Sequence, residues 1–177
     1  MKNIVNYFHE LGVMKRRTVS GFDQFTQQTQ NTLGHHAYRA AIIGMILADM
    51  EGANPVKVGL MLLVHENGET RVGDPDFIAS KYGMKDNDYE KKAFKDQIAN
   101  LPENIRKLFY ILFKEKEKFE MLESKVAWDA DILEQIISAK ELLDGGVEGA
   151  QLWLEDKYTW HTQSGKRLFE EIKRGKS

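Results

Sequence analysis

Apolar positions recur every three to four residues through most of this 177-residue chain, and strict alternation of apolar and polar residues is hard to find. That period belongs to helices with one buried face, so the pattern predicts an all-α protein. Ile4, Phe8 and Leu11 predict a short first helix that closes near Gly12. The polar stretch from Lys15 to Asn31 has no clear period and reads as a loop. A second helix is predicted from about Leu33 to Glu51, stopped by Gly52, and Asn54-Pro55 supplies a cap and a first-turn proline for the third. Downstream, Asp86 or Asn87 caps a helix to about Asn100, Pro102 opens one from Glu103 to Lys118, and a long one spans roughly Ser124 to Leu143 before Gly145-Gly146. Shorter helices follow around Gln151 to Lys157 and Gly165 to Arg174.

The third helix ends in an unusual way. Val58, Leu62, His65 and Glu69 fall at i, i+4, i+7 and i+11, so the apolar stripe runs straight into polar chemistry. The second helix repeats the arrangement with His36, Ala40, Ile43 and Leu47, and Asp131 sits beside a stripe of Trp128, Ile132, Ile136 and Leu143. Three predicted buried faces each carry a good metal ligand at their edge.

Composition narrows the class. A mass of 20.4 kDa fits one domain at roughly 100 to 200 residues each. The expectation is a single domain over residues 1–177, with C-terminal helices from about residue 147 packing on it. A net charge of −2, with both signs mixed throughout, argues against a nucleic-acid polymer or anionic membrane as partner. The absence of cysteine removes disulfides, thiolate zinc sites and cysteine nucleophiles, and suits the cytoplasm. No signal-type segment opens the chain, and no window approaches the roughly 20 apolar residues of a membrane span.

His36, His65, Glu66 and Asp131 together supply two imidazoles and two carboxylates, a set suited to Mn, Co, Fe, Ni, Zn or Mg and unsuited to Cu(I). Two carboxylates neutralise a divalent ion and leave it able to bind a phosphate and activate water. Spacing along the chain leaves open whether the four converge. It also leaves open Asp129 as a competitor of Asp131, and a solvated loop as the ordinary reading of Lys15, Arg16 and Arg17.

The runs His36-Ala-Tyr-Arg-Ala-Ala, Val64-His65-Glu66-Asn-Gly-Glu69-Thr-Arg-Val-Gly73-Asp74 and Asp131-Ile-Leu-Glu134 resemble the HD-domain phosphohydrolases, nearest their 5′-deoxynucleotidase branch. The resemblance extends from about Met14 to Leu143. It implies an orthogonal helical bundle, a homodimer, one divalent metal ion, and hydrolysis of a (deoxy)nucleoside 5′-monophosphate. Carried over by position, His36, His65, Glu66 and Asp131 become the metal ligands, Glu69 the catalytic acidic residue, and Asp74 the residue that orients the attacking water. Arg17, Phe22, His35 and Lys81 become the substrate-binding candidates.

The departures are specific. Glu66 stands where the family has Asp, one methylene longer; Phe22 stands where the branch has Trp, and His35 replaces an acidic residue. Three readings follow: a nucleoside monophosphate phosphohydrolase, an HD-type hydrolase of another phosphate compound, and a non-catalytic metal- or nucleotide-binding module motivated by Glu66.

Overall fold

The computed structural model describes residues 1–23, 25–26, 31–74, 82 and 88–175. Among these, regular structure is helical throughout, and the only extended pairing is an isolated antiparallel bridge between Thr18 and Thr32. The helices are α1 (Lys2–Leu11), α2 (Leu33–Glu51), α3 (Pro55–Val64), α4 (Glu69–Val72), α5 (Tyr89–Ile98), α6 (Glu103–Lys118), α7 (Leu122–Asp144), α8 (Gln151–Glu155) and α9 (Gln163–Arg174). The predicted caps Asp86 and Asn87 of α5 lie outside the described residues.

Local chemistry sets the two helices that matter most. Thr32 accepts a hydrogen bond from His35 N through Oγ1, while His35 Nδ1 accepts from Thr32 N, both at 3.3 Å. This reciprocal cap fixes where α2 starts, three residues before His36. Gly52 ends α2 at φ 72°, a left-handed conformation that glycine adopts without penalty. Asn54 Oδ1 then accepts from Lys57 N at 3.1 Å and Pro55 takes the first helical position, so α3 begins almost at once and runs back along α2.

α2, α3 and α7 share the main core. Ala40, Leu47 and Ala48 from α2 meet Val58, Met61 and Leu62 from α3, and Val126, Ala130, Leu133 and Ile136 from α7. Each large aliphatic side chain buried there contributes about 1.5–3 kcal/mol. Leu154 of α8 and Phe169 of α9 join the same cluster, so the C-terminal helices pack on it. A second cluster of Tyr7, Phe94, Ile98, Leu101 and Phe113 binds α1, α5 and α6 together. A third, of Phe22, Ala139 and Ala150 with Trp153 against it, pins the 3₁₀ turn Ser20–Phe22 and α8 to the far end of α7. No helix among the described residues is long and apolar enough to cross a membrane.

α3 stops at Val64, and the chain tightens into a 3₁₀ turn over His65–Asn67 before α4. His65, Glu66 and Asn67 are all buried, which no single helix face achieves for three consecutive residues. Neighbours cover the turn from behind. Asn67 Nδ2 donates to Tyr7 Oη at 3.0 Å, Thr70 Oγ1 donates to the Asn67 carbonyl at 2.7 Å, and Gln97 Nε2 donates to Thr70 Oγ1 at 2.9 Å. α1 and α5 thereby lock the polar turn on its back face and leave its front open.

Candidate metal centre

The front of that turn faces the first turn of α2 and the middle of α7. His36, His65, Glu66 and Asp131 meet there, each offering one ligand atom, and these atoms lie within 4.8 Å of one another. His36 Nε2 is 3.3 Å from Glu66 Oε1 and 3.1 Å from Asp131 Oδ1. His65 Nε2 is 2.6 Å from Glu66 Oε1 and 3.6 Å from Asp131 Oδ2. The extra methylene of Glu66 therefore does not carry its carboxylate out of the cluster.

Both rings are oriented through their other nitrogen. His36 Nδ1 donates to the buried Glu134 carboxylate, which also accepts from Arg39 Nε at 2.9 Å and Ser138 Oγ at 3.1 Å. His65 Nδ1 donates to the Leu62 carbonyl at 2.7 Å. Each Nε2 thus points into the cluster, where it offers a lone pair to a metal once its proton is displaced. His65 Nε2 is buried and makes no hydrogen bond. Two imidazole lone pairs facing two carboxylates is a donor set that fits one divalent metal ion of the first row.

The electrostatics agree. Burial opposes a charged His36 ring, but hydrogen bonds to Asp131, Glu134 and Glu66 outweigh it and raise its pKa. His65 is raised in the same way, against burial, by Glu66. Burial also opposes charge on Glu66 and Asp131, yet His65 and His36 hold Glu66, and Lys116 and His65 hold Asp131, well below the usual carboxylate range. Glu69 goes the opposite way: burial and the neighbouring Glu66 charge push it well up, so it keeps its proton at neutral pH. Burial, with Glu66 adding to it, pushes Glu90 up to about 7.

The cluster lies in the wall of a cleft of about 830 Å³, which Glu69, Asp74, Glu90 and Lys116 also line. Asp74 is held by the Ser20 turn, accepting from Ser20 N at 2.8 Å and Ser20 Oγ at 3.2 Å. Gly73, at φ 89°, lets the chain turn toward that contact. Gly68 serves α5: a Cβ there would meet the Glu90 carbonyl oxygen at 2.8 Å, so only glycine lets Glu90 lie over the cluster. The cleft walls also carry aromatic rings, with Phe119, Trp128, Trp153 and His161 among them. Phe119 packs edge-on against both Trp128 and His161, at centroid distances of 5.7 and 4.3 Å.

The substrate-binding candidates are dispersed. Phe22 is buried against Trp153 at a centroid distance of 4.6 Å, beneath the cleft wall and not in it. His35 is exposed and engaged in the α2 cap. Arg17 lies against Gly73 and does not line the cleft. Lys81 lies outside the described residues. Asp129, the alternative to Asp131, points away to the start of α9 and accepts from Thr162 N at 2.8 Å.

Sequence reasoning passed over Lys116, Glu90 and the role of Glu134. Lys116 sits in a charged run that reads as a solvated face, yet it falls four residues after buried Leu112 and three after buried Phe113. That spacing was the available signal. Glu134 was visible three residues after Asp131, but its partnership with His36 exists only where α2 meets α7.

The HD domain family model matches residues 11–173 of the chain. Among curated proteins, the 5′-deoxynucleotidase HDDC2 of Bos taurus is 28% identical over 171 residues, spanning 97% of this chain and 81% of that protein. The protein of the same name from Dictyostelium discoideum is 28% identical over 150 residues, spanning 80% of this chain and 78% of that one. Among solved structures, a conserved hypothetical protein from Pyrococcus furiosus matches with a TM-score of 0.76 at 24% identity, covering 96% of this chain and 99% of that one. The PH0347 protein of Pyrococcus horikoshii matches with a TM-score of 0.77 at 18% identity, covering 96% and 98%. At these identities the likeness to the solved structures is one of fold.

Proposed function

The chain belongs to the HD-domain family, and from that premise we propose that it is a metal-dependent phosphohydrolase releasing phosphate from (deoxy)nucleoside 5′-monophosphates. The observation that supports this most strongly is the meeting of His36, His65, Glu66 and Asp131 in a cleft that also presents Glu69 and Asp74. The names of the curated relatives support the nucleotide class.

In this reading the two Nε2 atoms and the two carboxylates hold one divalent ion, with Mn, Co, Fe, Ni, Zn and Mg as the candidates. Such an ion supplies a water of lowered pKa and screens the phosphate charge. Asp74, steadied by Ser20, accepts a hydrogen bond from the attacking water and turns its oxygen toward phosphorus. As the bond between phosphorus and the 5′ oxygen breaks, that oxygen takes the proton from Glu69, and the proton of the attacking water restores the acid. Glu134 and the Leu62 carbonyl keep both rings in the tautomer that ligates. The aromatic walls of the cleft receive the nucleoside.

The same reading takes the chain as one cytoplasmic domain working as a homodimer. Tyr38, Ile42, Ile46 and Met50 recur every four residues along α2 and are exposed, an apolar strip on which a second copy would sit. Sedimentation would register a mass twice 20.4 kDa.

The deciding experiment is phosphate release by the purified, Mn²⁺- or Co²⁺-loaded protein across deoxy- and ribonucleoside monophosphates. Turnover of at least one of them is the expected result. A protein that binds the metal yet hydrolyses no monophosphate would overturn the reading.

A further inference from the structure

Resting on that reading, we propose that Lys116 grips the substrate's phosphate, the task that the sequence pattern points toward Arg17 and Lys81. Lys116 belongs to the last turn of α6, and its Nζ donates to Asp131 Oδ2 at 2.9 Å, with only 18% of the side chain accessible. Among the described residues lining the cleft it is the only lysine or arginine, and it is set among Glu66, Glu69, Asp74, Glu90, Glu117 and Asp131. A phosphate monoester carries ~1.5 to 2 negative charges at neutral pH, so a cleft so rich in carboxyls needs a fixed cation beside its metal.

Among the described residues, two other cations near the site are committed elsewhere. Arg39 serves Glu134 and Glu141. Arg71 serves Glu10 and Asp96. Arg17 rests outside the cleft against Gly73. An ammonium has three donors, and one goes to Asp131; the remaining two are available to phosphate oxygens. Because Asp131 Oδ1 faces His36 Nε2 at 3.1 Å, a phosphate held by Lys116 through Asp131's other side arrives next to the metal ligands. The competing role is a purely structural one, in which Lys116 only steadies Asp131.

Inorganic phosphate binding to the Mn²⁺-loaded protein, measured by calorimetry, separates the two roles. Lys116→Met is expected to weaken phosphate binding and raise KM for a deoxynucleoside monophosphate by about 10- to 100-fold, with Mn²⁺ affinity no weaker than in the wild type, since a neighbouring cation has been removed. Lys116→Arg is expected to restore part of the phosphate affinity. In the wild-type protein, inorganic phosphate is expected to protect Lys116 from acylation by acetic anhydride, read by mass spectrometry, a measurement that needs no folded variant. Unchanged phosphate affinity in Lys116→Met, or weakened Mn²⁺ binding with KM unchanged, or no protection of Lys116 while the wild type turns over substrate, would overturn this assignment and leave the hydrolase reading standing. A wild-type protein that binds Mn²⁺ but hydrolyses no monophosphate would instead overturn the hydrolase reading beneath it.

Discussion

Glu66 Oε1 lies 2.6 Å from His65 Nε2, the ring nitrogen opposite the one whose N–H donates to the Leu62 carbonyl. Two electron-rich atoms at that separation need a cation between them, and a proton and a metal ion compete for the place. Metal binding should therefore release protons, and the apparent affinity should rise with pH, because the raised pKa values of His36 and His65 mean that metal must displace protons from the two imidazole rings, which the ionised Glu66 and Asp131 favour. Calorimetry in buffers of different ionisation enthalpy measures the released protons directly. At free Mn²⁺ about 100-fold above its dissociation constant the protein should gain about 2.7 kcal/mol of stability, and chelation should remove it.

Glu134→Gln tests the orientation of His36. The buried carboxylate accepts from Nδ1 and is itself held by Arg39 and Ser138. An amide in its place offers either a weaker acceptor or a second donor, so the ring loses its preferred tautomer. Metal affinity or turnover should fall by about 10- to 100-fold, measured by competition with a chromogenic chelator and by phosphate release.

Glu69 keeps its proton because burial and the adjacent Glu66 charge disfavour ionisation. A Glu69→Gln variant preserves shape and a hydrogen-bond donor but has no proton to transfer. It should retain its metal and lose about 10²- to 10⁴-fold in kcat. Full activity in the variant would remove Glu69 from the mechanism.

Much of this arrangement is legible along the chain, for a physical reason. Helix starts and stops depend on near neighbours, so Gly52, Asn54 and Pro55 announce the end of α2 and the start of α3 before any tertiary contact forms. His36, His65, Glu66 and Asp131 stand at the edges of apolar stripes, and those stripes meet in one core. What a charged or aromatic residue does depends on which neighbour covers it, and that is settled between distant segments. Lys116 looks solvated until α7 brings Asp131 to it. Phe22 looks like a stacking face until Trp153 of α8 covers it, and Trp128, which reads as a core or dimer anchor, is 44% exposed and lines the cleft. The tight turn at His65–Asn67 is likewise held by Tyr7, sixty residues earlier.

Glu90 gives the metal-free protein a pH-dependent weakness. Its folded pKa of about 7 exceeds the ordinary carboxylate value of 4.5, so the folded state holds this proton more tightly than the unfolded chain. Stability from this group is complete below 4.5, falls as pH rises from there to about 7, and stays low above it. Glu90→Gln, which carries no charge at any pH, should therefore stabilise the chelated protein at pH 8 by roughly 1 to 3 kcal/mol, with the advantage shrinking steadily toward pH 4.5. Denaturant titrations at both pH values test the slope, and a pH-independent difference would contradict the burial of a charged Glu90.

Asp129 and Asp131 are two residues apart on α7 and serve opposite ends. Asp129, fully buried, accepts from His161 N at 3.1 Å, Thr162 N at 2.8 Å and Thr162 Oγ1 at 2.7 Å, and so fastens the start of α9 to the core. Gly165 lies against the same carboxylate, where a Cβ would come within 2.7 Å of Oδ2. Asp129→Ala leaves these donors without their acceptor at a cost of about 2 to 4 kcal/mol, and because its side chain points away from the cluster, metal stoichiometry should stay at one. Asp131→Asn keeps an acceptor for Lys116 and nearly the same volume, so the chelated protein should melt within a few degrees of wild type. It loses a charged ligand, however, and metal affinity should drop by more than the roughly 10- to 100-fold that outer-shell changes cost. Thermal melts with and without Mn²⁺ separate the pair: Asp129→Ala lowers both melting temperatures by a similar amount, whereas Asp131→Asn abolishes the increment between them. If Asp129→Ala instead erased the Mn²⁺ increment and Asp131→Asn preserved it, the ligand set of the centre would have to be redrawn.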